Sequence, residues 1–217
     1  MKSAIKSNCL ITLLIIFSIF TTSNAQELNK IFLPAPQTEI GKPLMQALKL
    51  RQSSRSFDTA AISMQDISNL LWAANGINRP ESGKRTAPSA MNWQEIDIYV
   101  CLERGTFVYD AKANCLNLLQ RGDVRPFCGV QEYVKSAPLN LVYISDYSRI
   151  KSTNEEEKKF YSATDCSFMV QNVYLYCASQ GLAVVVRSYI DHEKLGKALN
   201  LNQDQKIILS QTVGYGK

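Results

Sequence analysis

The chain has 217 residues, of which 46% are apolar and 20% charged, and its formal net charge is +5. This length suits one domain with a buried core, and the composition excludes a disordered or fibrous chain. The basic residues are scattered, which argues against a nucleic-acid footprint, and a single histidine among widely spaced cysteines argues against a metal centre.

Lys2 and Lys6 precede an apolar run from Leu10 to Phe20, and Ser23 and Ala25 supply the small residues that a signal peptidase needs. The run is shorter than the ~20 residues of a spanning helix. Residues 1–25 are therefore read as a signal peptide cleaved after Ala25, with an uncleaved anchor as the alternative. The expected product is an exported, periplasmic domain of residues 26–217, with net charge +3 and no membrane span.

Residues 26–40 read as an extended lead-in, and Lys42 to Leu50 as a short helix with Pro43 in its first turn. Ser63, with Asp66 three residues on, starts a helix whose Ile67, Leu70, Leu71 and Ala74 share one face, and Gly76 stops it. Residues 77–92 are expected as a polar loop. Alternation from Ile96 to Leu102 predicts a strand, and Phe107 to Tyr109 its hairpin partner. Residues 110–136 are expected as short helices with a loop around Gly122 to Gly129, followed by a strand over Leu139 to Ser145. Asn154 to Gln180 is the longest predicted helix, with Phe160, Ala163, Ser167, Val170, Tyr174 and Cys177 at helical spacing and Gly181 as its stop. A strand over Ala183 to Val186, a helix capped by Asp191 and a strand over Ile207 to Val213 complete an α+β pattern.

Five cysteines follow the signal segment: Cys101, Cys115, Cys128, Cys166 and Cys177. An oxidising compartment permits disulfides, and Cys115 and Cys128 lie in a loop-rich stretch where they could pair. Cys166 and Cys177 share a face of the long helix, where apolar packing accounts for them.

No G-x-G-x-x-G follows a strand, and neither a P-loop nor a G-x-S-x-G elbow is present. His192 reads as a solvated first-turn residue rather than a general base, so a hydrolase of the serine or cysteine type is hard to build. Two clusters stand out. In Arg51-Gln52-Ser53-Ser54-Arg55-Ser56-Phe57, two guanidinium groups and a hydroxyl can grip a phosphate, although plain surface charge would also explain them. In Thr86-Ala87-Pro88-Ser89-Ala90-Met91-Asn92-Trp93-Gln94, small residues permit close approach to a planar ligand, and the amides can donate and accept; a polar loop is the alternative.

Together these segments resemble the nitroreductase family. Arg51, Ser53, Arg55 and Phe57 fit its R-x-S-x-[RK]-x-F segment, and Pro88, Ser89, Ala90, Asn92 and Gln94 fit its P-S-[AS]-x-N-x-Q segment. Gln171-Asn172 with Gly181-Leu182, and Val213-Gly214-Tyr215, follow in the family's order. The stretch Leu70 to Gly76 is similar to the branch that contains azoline-forming peptide dehydrogenases.

The resemblance implies a central, mostly antiparallel sheet flanked by helices, and a homodimer with FMN at its interface. Arg51, Gln52 and Ser53 would hold the phosphate and ribityl chain, with Arg55 near N1 and O2 of the ring. Pro88, Ser89, Ala90 and Asn92 would come from the partner chain. Val186, Arg187 and Ser188 match the loop whose backbone N–H faces flavin N5, while surface charge is the alternative for Arg187. Tyr189 stands where relatives often carry glycine. Lys217 matches loosely a basic residue that closes over the phosphate, and without a longer basic tail the phosphate would lean more on Arg51. The implied activity is ping-pong hydride transfer to or from a small organic, nitroaromatic or quinone-type substrate, with oxygen or quinone as a further acceptor class. The alternatives are a flavin-binding or flavin-cleaving protein, or an FMN-free fold relative.

Overall fold

The computed structural model describes residues 29–217, so the predicted signal segment lies outside the described residues. The first element is a short strand, β1 (Lys30–Phe32), and Phe32–Lys217 forms one compact unit. Helix α1 (Leu44–Leu50) begins after Pro43, which is the cap residue rather than part of the first turn. Helix α2 (Met64–Asn75) starts at Ser63, whose Oγ accepts the Asp66 N–H at 3.0 Å and donates to its carboxylate at 2.7 Å. The predicted stripe of Ile67, Leu70, Leu71 and Ala74 is buried.

Residues 77–92 hold more order than a loop. β2 (Ile77–Arg79) pairs antiparallel with β3 (Lys84–Arg85), and a single 3-10 turn follows at Ala90–Asn92. The main strands of the unit are β4 (Ile96–Leu102), β5 (Gly105–Asp110), β6 (Cys115–Arg121), β7 (Leu139–Asp146), β8 (Ala183–Arg187) and β9 (Gln205–Gly214). They lie in the order β6-β5-β4-β7-β9-β8, and every neighbouring pair among them is antiparallel. The helices expected across 110–136 reduce to a 3-10 turn at Arg125–Phe127 and the short α3 (Glu132–Ser136), because residues 115–121 form β6. The Leu118-Leu119 pair breaks its alternation, and only its first two residues are buried, so the strand signal is diluted.

The sheet is covered on both faces. Tyr99, Cys101, Val142 and Ile144 pack with Val134 of α3 and with Leu195 of α5 (His192–Ala198). On the opposite face, Tyr143 Oη donates to Gln211 Oε1 at 2.7 Å, and Gln211 donates to the Val170 carbonyl on α4 (Glu155–Gln180) at 3.3 Å. α1 and α2 pack against α4. The α4 backbone starts at Asn154, whose Oδ1 accepts the Glu156 and Glu157 N–H groups, and stops at Gly181 with φ +75°. Of the residues whose spacing predicted α4, Val170, Tyr174 and Cys177 are buried, but Phe160, Ala163 and Ser167 are exposed. The helix carries two stripes, and the second faces outward.

All five cysteines of the described residues are buried. Cys115 and Cys128 are not joined to each other. The Cys128 thiol lies against Cys101 and donates to the Val124 carbonyl at 3.6 Å, while the Cys115 thiol donates to Asn117 Oδ1 at 3.8 Å. Cys166 and Cys177 are wholly buried, and burial holds both thiols well above the ordinary range.

Candidate functional site

The Arg51–Phe57 segment runs extended along the open edge of β8. The Ser54 N–H donates to the Val184 carbonyl at 2.9 Å, Phe57 bridges to Gly216, and the Asp58 N–H donates to the Tyr215 carbonyl at 2.8 Å. The Phe57 ring is buried beside Ala137, Ala183 and Val185, with Tyr133 at 5.4 Å. These anchors bring the chain end and the exposed Lys217 beside the segment and leave Gln52, Ser53 and Arg55 exposed. Tyr174 of α4 organises the inner side. The Arg51 guanidinium stands 5.3 Å over its ring, and its hydroxyl lies 2.8 Å from Ser53 Oγ and accepts the Val186 N–H at 3.0 Å. The phenol therefore ties the Ser53 hydroxyl and the β8 backbone together through one oxygen.

Backbone alternation decides which amides β8 can offer. Arg187 pairs with Ser210 on β9, whereas the Val184 carbonyl and the Val186 N–H point away from the sheet. The Val186 N–H is therefore committed to Tyr174, and Ser188, just past the strand, is exposed. Arg187 is a correction to the surface-charge reading: it is buried. Its guanidinium donates to Thr212, to Ser210 Oγ at 2.8 Å, and to the Cys128 carbonyl and Asn140 Oδ1 at 3.2 Å each. The Arg187 guanidinium is thus turned into the fold rather than standing on the surface. Burial lowers its pKa, and no carboxylate among the described residues pairs with it.

The second cluster hangs between β3 and β4. Met91, Asn92 and Gln94 all adopt the left-handed region, with φ of 48°, 54° and 50°, a concentration of strain that surrounding contacts must hold. Those contacts are internal. The Ala90 N–H donates to Asp165 Oδ2 at 2.7 Å, and the Gln94 N–H to Ser89 Oγ at 2.8 Å. Ser89 Oγ in turn donates to Glu95 Oε2 at 3.2 Å. Arg85 Nε donates to Gln94 Oε1 at 2.7 Å, and Arg149 donates to the Gln94 carbonyl at 2.8 Å. Pro88 and Asn92 remain exposed. A cavity of about 220 Å³ opens there, with Arg79, Lys84 and Arg85 on its wall and no acidic residue.

Glu95 is fully buried, and Asp165 nearly so. Burial, and after it the Asp165 carboxyl alongside, pushes the Glu95 pKa up to about 7. A larger cavity of about 930 Å³, with Tyr147 and His192 on its wall, shares no residue with either cluster. Among the described residues no group of side chains could hold a metal ion, and no helix is long and apolar enough to cross a membrane.

The two clusters share no hydrogen bond within one chain. Both are fixed to α4, one at Tyr174 and the other at Asp165, nine residues or about 14 Å apart along the helix. Tyr174, Glu95, Asp165 and Arg85 were not legible as site residues. Tyr174 reads as one more member of a helical stripe, and Asp165 as one more polar position.

An antiparallel sheet wrapped by helices, with an arginine–serine strip on its open edge and a strained small-residue loop before β4, defines an α+β fold of nitroreductase type. The nitroreductase family model matches residues 48–215, and the chain belongs to that family. A nitroreductase structure from Ralstonia eutropha JMP134 is 41% identical, with a TM-score of 0.83 over 87% of this chain and 90% of that one. A chain of the Escherichia coli microcin synthetase McbBCD complex shares the fold at 18% identity and TM-score 0.70, over 86% and 77% of the two chains. A nitroreductase from Desulfovibrio desulfuricans, solved in complex with FMN, shares it at 19% identity and TM-score 0.59, over 81% and 87%.

Proposed function

We propose that the chain is an exported, FMN-dependent oxidoreductase that holds its cofactor between two copies of itself. It would pass hydride equivalents in a ping-pong cycle between a donor and a small organic, nitroaromatic or quinone-type acceptor. The observation that carries this reading is the Arg51–Ser53–Tyr174 strip. A guanidinium and an exposed serine, both backed by a buried phenol, suit a phosphate and a ribityl hydroxyl. The FMN complex of the Desulfovibrio relative supports the same cofactor.

Bound FMN would supply two-electron chemistry at its ring. The chain's own part is to bind, orient and balance charge. Arg51, Gln52, Ser53 and Lys217 form the phosphate end, and Arg55 stabilises negative charge at the ring edge. Of the three residues at the end of β8, Ser188 offers the available N–H, because those of Val186 and Arg187 are taken by Tyr174 and the sheet. Pro88, Ser89 and Asn92 of a second chain would close the site, while the Ala90 N–H stays bonded to Asp165. Exposed apolar side chains on α1 (Leu44, Met45, Leu48) and α4 (Phe160, Phe168) support a dimer. Export would place the enzyme away from cytoplasmic nicotinamide pools, so its donor would be of another class.

The visible spectrum of purified protein tests this reading. A flavin spectrum that dithionite bleaches and a quinone restores is expected. Colourless protein that takes up no FMN at micromolar concentration would overturn it.

A further inference from the structure

We propose that Glu95 and Asp165 share one proton beneath the Ser89–Gln94 loop, and that this proton locks the loop in the shape it presents to the flavin. The pair is a positioning device, and the proposal rests on the reading of that loop as a wall of the flavin site.

The geometry is a closed circuit. The Gln94 N–H donates to Ser89 Oγ, and the Ser89 hydroxyl donates to Glu95 Oε2. The Glu95 carboxyl lies within hydrogen-bonding reach of Asp165, and Asp165 Oδ2 accepts the Ala90 N–H. Both ends of the loop thus hang from the two acids. Every bond in the circuit has a donor except the one between the carboxyls. Glu95 Oε1 is buried with no hydrogen-bond partner. A proton held between the Glu95 and Asp165 carboxyls supplies the donor that the circuit lacks.

No cation competes for either acid. Among the described residues neither Glu95 nor Asp165 forms an ion pair, and the nearby Arg149 is engaged by Asp97 and Asp146. From α4 the pair also faces the Cys166 thiol, which burial and then the two acids hold well above its ordinary range, so it brings no charge. From the loop it meets two neutral groups, the Ser89 hydroxyl and the Ala90 N–H. Loss of the proton sets two buried carboxylates against each other. The left-handed Met91, Asn92 and Gln94 persist only while the surroundings hold them, so the loop is where that repulsion is relieved.

The sign follows. Folded Glu95 keeps its proton up to about pH 7, and unfolded Glu95 only to the ordinary carboxylate range. Between those limits the folded state binds more protons, so stability falls as pH rises and levels off above about 7.

Trp93 sits in the loop, 5.5 Å edge-on to Tyr161, and reports its shape without any cofactor. In cofactor-free wild type its fluorescence should titrate with a midpoint near 7. Glu95→Gln keeps a donor towards Asp165 that cannot dissociate, so it should give a flat profile. Asp165→Asn should move the midpoint to lower pH, and it serves if the first variant does not fold. With FMN, wild-type affinity should weaken relative to Glu95→Gln by about tenfold between about pH 6 and about pH 8.5, the loss expected for one unit of pKa difference between closed and open loop. The infrared carbonyl band of a protonated carboxylic acid should be present in wild type at pH 6 and absent in Glu95→Gln. Coincident fluorescence profiles, or no such band, would sink the shared proton. If the Trp93 titration persists while even wild type takes up no FMN, the flavin reading falls and the proton lock stands.

Discussion

Tyr174 joins three groups that chain order keeps far apart: the Arg51 guanidinium, the Ser53 hydroxyl and the Val186 N–H. Its replacement by phenylalanine keeps the ring and removes only the oxygen. Tyr174→Phe should cost about 1–3 kcal/mol of stability, because the Val186 N–H loses its partner in a half-buried position, and the denaturation midpoint reads this. Arg51→Ala should leave the fold intact and weaken FMN uptake by about 1.5–3 kcal/mol, roughly ten- to a hundredfold, in a fluorescence titration. Unchanged affinity would move the phosphate away from Arg51. Arg51 and Ser53 stand out in the sequence as candidates because a short chain segment carries both. The residues that support them do not. Ser53 meets Tyr174 across 121 positions, and Ala90 meets Asp165 across 75, separations that no local pattern encodes.

At the scale of elements, local chemistry predicts the ends of segments well. Ser63, Asn154 and Asp191 cap helices with their side-chain oxygens, as short polar residues before a helical stripe do. Gly181 closes α4 with φ +75°, and nothing lies within 4 Å of where a Cβ would stand. Gly181→Ala should therefore cost only the backbone strain, about 1–2 kcal/mol in a thermal melt. A larger loss would point to packing that the structure does not contain. The failures have physical reasons too. β6 is half exposed, so its sequence lacks the alternation of a strand with one buried face. Arg187 stands at a strand end where solvent is the ordinary destination of a charge, yet polar side chains from β7 and β9 gather it inward.

At the scale of the molecule, the second stripe of α4 is the feature that periodicity predicted and misassigned. Phe160 is 65% exposed and Phe168 43%, an apolar surface that suits the proposed dimer. Phe168→Asp should convert a dimer to monomers in sedimentation equilibrium and abolish FMN uptake. A variant that stays dimeric and yellow would place the interface elsewhere. The proposed export belongs to this scale as well, and the amino terminus of the mature protein tests the expected cleavage after Ala25.

The spacing of the two clusters along α4 has a genetic consequence. If each flavin draws its phosphate end from one chain and its loop from the other, lesions in the two clusters should complement. An Arg51→Ala chain and an Asn92→Ala chain would each make a defective homodimer. A mixed dimer gathers both lesions into one site and leaves the other intact. Co-expressed, differently tagged chains purified through both tags should then bind one FMN per dimer with wild-type affinity. If both clusters serve the same chain's site, every site in the mixed dimer carries one lesion and none recovers.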